Sequence, residues 1–110
     1  MSTEERYEAR PLATVNICTR NRSASLKHTL ASIVLAAKNV IDCWEIHVID
    51  NGSTDNTSET VEEFKDVLPI RCISAPTPGL SNARNVGIEH ANGEFIIWTD
   101  DDVRVSEMWL

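Results

Sequence analysis

Four short apolar runs alternate with three stretches of helical period, and this alternation constrains the fold more than any single motif does. Ala13–Thr19, Trp44–Asp50, Ile70–Ser74 and residues 94–99 read as strands, rich in β-branched and aromatic side chains and bounded by turn formers. Val15 and Ile17 are the apolar anchors of the first. Ser23 or Ser25 is expected to cap a helix running to about Lys38, in which Leu26, Leu30, Ile33, Val34 and Ala37 share one face. The turn Asn51-Gly52-Ser53-Thr54-Asp55 leads to a second helix reaching about Lys65, with Val61 and Phe64 turned inward and Asp55 and Asn56 as its caps. Pro76, Pro78 and Gly79 make a rigid loop before a third helix over residues 80–91, which Asn92-Gly93 ends. The order βαβαβαβ predicts an α/β fold: a Rossmann-like, three-layer α/β/α arrangement with a mostly parallel sheet and right-handed crossovers.

The chain is 110 residues long and 42% hydrophobic, enough for one modest core. Residues 1–12 read as a flexible leader and residues 13–110 as the folded unit. With 10 basic against 17 acidic residues the net charge is −7, which argues against nucleic-acid binding, since that needs a basic face to displace counterions. No signal-peptide h-region and no apolar run of about 18 residues is present, so no membrane span is expected. Cys18, Cys43 and Cys72 lack C-x-x-C spacing and read as buried hydrophobes in a reducing, cytoplasmic setting. The N-x-[ST] matches at Asn21, Asn51 and Asn56 read as chance without a secretory signal. His28, His47 and His90 have no metal-ligand spacing and read as satisfied or surface side chains.

Ligands on parallel sheets bind beyond the carboxyl ends of the strands. Here those ends carry Thr19-Arg20-Asn21-Arg22, Asp50-Asn51-Gly52-Ser53 and Asp100-Asp101-Asp102, three polar clusters on one rim. Three adjacent carboxylates repel one another unless a cation sits among them. Oxygen-only donors of this kind suit Mg²⁺ or Mn²⁺, which bind through one or two carboxylates and share substrate phosphates. Asp50 could accept hydrogen bonds from a base or a ribose hydroxyl; it could equally do no more than shape its own turn. Arg20, Arg22 and Arg84 are candidate neutralisers of a diphosphate, and Arg84 lies near a helix start, where backbone N–H groups already favour an anion. The chain carries no G-x-G-x-x-G, no P-loop and no G-x-S-x-G, which disfavours dinucleotide binding, P-loop chemistry and a serine nucleophile.

Four stretches in this order resemble the nucleotide-binding half of inverting family-2 glycosyltransferases of the GT-A fold. Val15-Asn16-Ile17-Cys18-Thr19-Arg20-Asn21-Arg22 is similar to the family's first strand and its T-x-N-R ending. Val48-Ile49-Asp50-Asn51-Gly52-Ser53-Thr54-Asp55 is similar to its D-[ND]-G-S-x-D turn. Gly79-Leu80-Ser81-Asn82-Ala83-Arg84-Asn85-Val86-Gly87 resembles its G-x-[SA]-x-A-R-N-x-G segment, and Asp100-Asp101-Asp102 its D-x-D motif. The resemblance implies a partial GT-A fold that binds a nucleoside-diphosphate sugar, a UDP-sugar being favoured, with Mn²⁺ or Mg²⁺. It implies Thr19 and Asp50 at the nucleoside, Arg20 where many relatives stack an aromatic on the base, and Arg84 near the base or diphosphate. Asp100 then lies near the ribose and shares the metal with Asp102; a register using Asp101 and Asp102 is the alternative. Cys18 stands where proline is frequent.

In the family the acceptor half and the catalytic base lie well downstream of D-x-D, whereas this sequence ends eight residues after Asp102. Glu107 is too close to the metal motif to act as that base. The expectation is therefore donor binding without a catalytic residue, slow or absent transfer to a saccharide or other hydroxyl acceptor, and self-association through an open sheet edge at the fourth strand. Two further classes compete: a non-catalytic interaction protein that kept the fold, and a nucleotidyltransferase. The latter would carry a Gly-rich, basic loop after its first strand.

Overall fold

The computed structural model describes residues 11–37 and 44–102. Residues 1–10 of the expected leader, Cys43, the predicted helix end at Lys38, the side chain of Ala37 and Glu107 lie outside the described residues. Strands β1 (Ala13–Thr19), β2 (Trp44–Asp50), β3 (Ile70–Ser74) and β4 (Phe95–Thr99) alternate with helices α1 (Ser23–Ala37), α2 (Thr57–Glu62) and α3 (Leu80–His90). The sheet is parallel throughout, in the order β3-β2-β1-β4. The α/β prediction holds, with element ends shifted by a few residues at most.

Alternation along the strands assigns the two faces. Val15 and Ile17 of β1, Ile46 and Val48 of β2 and Ile70 of β3 pack with Leu26, Leu30 and Ile33 of α1 and Val61 of α2. Full burial of each large aliphatic side chain contributes roughly 1.5–3 kcal/mol, so this face holds most of the core. The opposite face packs α3 through a smaller cluster of Ile49, Ile73, Ala75 and Ala83. Polar side chains share that face with it. Thr14, Asn16 and His47 are completely buried there, so β1 is covered on both faces and not only at its two aliphatic anchors.

Glycines allow this polar face to close. A Cβ on Gly87 of α3 would stand 2.8 Å from Asn16 Nδ2 and 3.2 Å from the Trp98 ring. One on Gly93 would stand 2.6 Å from the backbone of Ala13 and Thr14. Gly93 therefore serves close backbone approach and is not the helix cap: α3 stops at Ala91, which turns extended at φ −66° and ψ 132°.

Glu45 lies near the amino end of the polar face, accepting hydrogen bonds from the Thr14 hydroxyl and, at 2.8 Å, from the Asn92 backbone N–H. Burial would raise its carboxyl, but these hydrogen bonds outweigh that and hold it below the ordinary value. His47 departs from the expectation of a satisfied or surface histidine. Its Nε2 lies 3.2 Å from Glu45 Oε1, an ion-pair distance, yet neither ring nitrogen reaches hydrogen-bond geometry with a described residue. Burial pushes its pKa down against the pull of Glu45.

The helix starts are braced from outside. The first α1 hydrogen bond runs from Leu26 N–H to the Arg22 carbonyl at 2.9 Å, so Arg22 takes the cap position predicted for Ser23 or Ser25. Asp55 Oδ2 accepts from the Ser23 N–H at 3.1 Å, while Oδ1 accepts from the hydroxyl of Thr57 and from its N–H. One carboxylate thus satisfies the orphan donors of two helices, and these bonds lower its pKa. Asn56 makes no side-chain capping bond.

Candidate functional site

Four loop segments meet beyond the carboxyl ends of β1, β2, β3 and β4. Asn51 N–H donates to the Thr19 carbonyl at 2.9 Å, carrying the β1–β2 pairing into the loops. Asn21 takes a left-handed conformation at φ 54°, one that asparagine tolerates better than most residues. Its Oδ1 accepts from Thr54 N–H at 2.7 Å and its own N–H donates to Ser53 Oγ at 2.9 Å. Asn51 spans to the third loop: Nδ2 donates to the Ala75 and Thr77 carbonyls, and Oδ1 accepts from Gly79 N–H at 3.1 Å. Gly79, at φ 115°, can then turn the chain directly into α3. Sequence reasoning missed these two asparagines as organisers of the rim. The signal available was an asparagine within two residues of each of two strand ends, a residue type that bonds neighbouring backbone.

The rim encloses a cavity of about 420 Å³ lined by Thr19, Arg20, Arg22, Asn51, Leu80 and the three aspartates, with Cys18 and Ala83 behind them. Thr19, Arg20, Asp100, Asp101 and Asp102 are thus brought together as expected. Asp50 and Arg84 are not among the lining residues. Asp50 Oδ1 accepts the Ser53 N–H at 2.9 Å, which is the turn-shaping role left open by the sequence. Arg84 stands over the Trp98 ring, 5.5 Å from its centroid, a cation–π contact. It lines an adjoining cavity of about 390 Å³ with Trp98 and Thr99, which shares Cys18, Leu80 and Asp100 with the first.

The aspartates have three different environments. Asp101 is buried and accepts the Thr19 hydroxyl on Oδ2 at 2.7 Å. Asp102 is half-exposed and binds Arg22 at 2.9 Å. Asp100 is exposed and has no hydrogen bond or ion pair with a described residue. Arg22 also reaches Asp101 Oδ1 at 3.5 Å, so one guanidinium serves two of the three carboxylates.

Among the described residues no group of three or more His, Cys, Asp or Glu side chains can hold a metal ion alone. The donors nonetheless fit Mg²⁺ or Mn²⁺: Asp100 and Asp102 are hard oxygen ligands facing an open cavity, and such ions take their remaining ligands from water and phosphate. The Cys18 thiol at the cavity wall is raised above its ordinary value by burial, with Arg84 opposing and Asp101 adding to the shift. Raised in this way, it is a thiol and not a thiolate at neutral pH.

The family model for glycosyl transferase family 2 matches residues 14–110. The chain belongs to this family. A family-2 relative from Escherichia coli, UDP-Glc:alpha-D-GlcNAc-diphosphoundecaprenol beta-1,3-glucosyltransferase WfgD, is 34% identical over 80% of this chain and 34% of its own length. S. aureus TarS 1-349, solved in complex with UDP-GlcNAc, superposes with a TM-score of 0.79 at 27% identity, over 86% of this chain and 28% of that one. The mannosyltransferase PcManGT from Pyrobaculum calidifontis, solved with GDP-Man and Mn²⁺, gives 0.74 at 29% identity over 84% of this chain and 28% of its own. The family-2 chain therefore spans about a third of the length of its relative WfgD. Its parallel sheet and flanking helices are those of the GT-A enzymes it superposes on.

Proposed function

We infer that this chain is the donor-binding part of a glycosyltransferase, holding a nucleoside-diphosphate sugar beside a divalent cation for inverting transfer to a hydroxyl acceptor. The observation that carries the reading is the gathering of Thr19, Arg20, Asp100 and Asp102 around one cavity at the carboxyl rim of a parallel sheet. Support comes also from TarS and PcManGT, whose structures hold UDP-GlcNAc and GDP-Man.

In this reading Thr19 and Arg20 face the nucleoside, and the planar guanidinium of Arg20 can stack on the base. Asp50 acts through the turn it shapes. Asp100 and Asp102 would hold the ion, which when bound supplies positive charge against the diphosphate oxygens. The start of α3 borders the same cavity and adds the partial positive charge of its free N–H groups. Arg84, resting over Trp98, borders the adjoining cavity that shares Asp100 with this one. The carboxylates that line the cavity are Asp100, Asp101 and Asp102; in this reading they serve the donor and its ion, and the described residues bind donor and transfer sugar slowly or not at all.

The test is calorimetric titration with UDP, GDP and dTDP, each with and without Mn²⁺, on the chain and on Asp102→Ala. The expected result is Mn²⁺-dependent binding, tightest for UDP and weakened about tenfold or more by the substitution. Equal, metal-independent binding of all three nucleotides would overturn the reading. No binding at all would favour a non-catalytic relative of the same fold.

A further inference from the structure

A second role for the rim follows from Arg22. Its guanidinium lies 2.9 Å from Asp102 Oδ2 and 3.5 Å from Asp101 Oδ1, and it lines the same cavity as Asp100. The two contacts are not equivalent. Asp101 is fixed by the Thr19 hydroxyl and buried, whereas Arg22 and Asp102 are each 49% exposed. An exposed pair is worth about 0–1 kcal/mol and exchanges readily. The carboxylate that the arginine holds most closely is therefore the one it can most easily release.

We propose that Arg22 is a built-in counter-ion of the acidic rim: it neutralises Asp102 in the ligand-free chain, competes there with the divalent cation, and passes to the diphosphate when nucleotide binds. The inference rests on the reading of this rim as a metal–diphosphate site. Three consecutive carboxylates at one strand end would otherwise repel one another in the free protein. The guanidinium fork suits both of its partners in turn, because carboxylate and phosphate present similar pairs of acceptor oxygens. Arg22 also immediately precedes the first helical residue, Ser23, so its backbone is held by α1 while the side chain exchanges. Metal alone must then displace a positive charge, whereas metal with diphosphate offers that charge a new partner. Arg22 is a ligand-binding residue in this scheme, and it makes binding of metal and nucleotide mutually supporting.

The decisive readout is the free Mn²⁺ signal in electron paramagnetic resonance, without nucleotide and then with UDP, for the unaltered chain, Arg22→Gln and Arg22→Lys. Circular dichroism checks that each variant is folded. Removing one unit charge a few ångströms from the ion is expected to tighten Mn²⁺ binding in Arg22→Gln by about tenfold without nucleotide. The same variant should lose about tenfold in UDP affinity at saturating Mn²⁺, and Arg22→Lys should fall between it and the parent. Unchanged or weaker Mn²⁺ binding by Arg22→Gln without nucleotide would overturn the counter-ion role and leave Arg22 as a strut for Asp102. If the unaltered chain binds no Mn²⁺ even with UDP, the reading of the site itself fails, and this inference with it.

Discussion

Identical residues at the rim do different work because their surroundings differ. Asp100, Asp101 and Asp102 are the same side chain three times over, yet one is open, one is bonded to Thr19 and one is paired with Arg22. The sequence placed all three at the end of a strand and left the register open. Only the turn geometry distinguishes them, since it decides which carboxylate points back toward β1. Away from the rim, His47 and Glu45 give a pH prediction with one sign. His47 sits below its ordinary value of 6.5, so the unfolded chain takes up a proton first on acidification. Its contribution is complete above pH 6.5 and is lost as the pH falls from there through the depressed folded value. Glu45 is also depressed, so it adds a second loss as the pH falls below its ordinary 4.5. Urea midpoints measured from pH 8 to pH 4 should fall on acidification, and His47→Gln should flatten the upper part of the slope. A midpoint rising toward pH 5 would contradict this.

At the scale of elements, strands were more legible than helix ends. β1, β2 and β3 begin and end where β-branched residues give way to turn formers, because strand propensity and burial point the same way in a parallel sheet. Helix ends depend on who supplies the cap. Asp55 reaches α1 from another loop, and no local pattern around Ser23 could have announced it. The glycines of the third helix and its exit have a testable rank. Gly87→Ala gains up to about 1 kcal/mol of helix propensity, set against a clash with the end of the Asn16 side chain, 2.8 Å away. Gly93→Ala has no such gain and meets backbone at 2.6 Å, so β1 or the loop must move. Gly93→Ala is expected to lose about 1–3 kcal/mol in chemical denaturation and Gly87→Ala distinctly less. A Gly93→Ala chain as stable as its parent would remove close approach as the reason for that glycine.

For the whole molecule, the strand order leaves β4 with a hydrogen-bonded neighbour on one side only, among the described residues. Phe95 is 62% exposed on that strand and Trp98 37%, so the edge offers both unpaired backbone and apolar side chains. Such an edge pairs readily with another copy. Sedimentation velocity should therefore show concentration-dependent association that Phe95→Lys reduces, because a charge on the edge opposes pairing. A well-behaved monomer at high concentration would count against it. Among the described residues no helix is long and apolar enough to cross a membrane.

By itself the sequence determined the alternation of elements, the parallel sheet and the rim on which Thr19, Arg20 and the aspartates gather. These follow from local propensity and from the rule that parallel strands end on one side. Tertiary structure alone decided that Asp50 braces a turn, that Arg84 rests on Trp98 and that Arg22 spans 80 positions of chain to Asp102 and reaches Asp101 beside it. Those outcomes depend on which side chains fall within a few ångströms once the sheet is assembled, and spacing along the chain does not encode that distance.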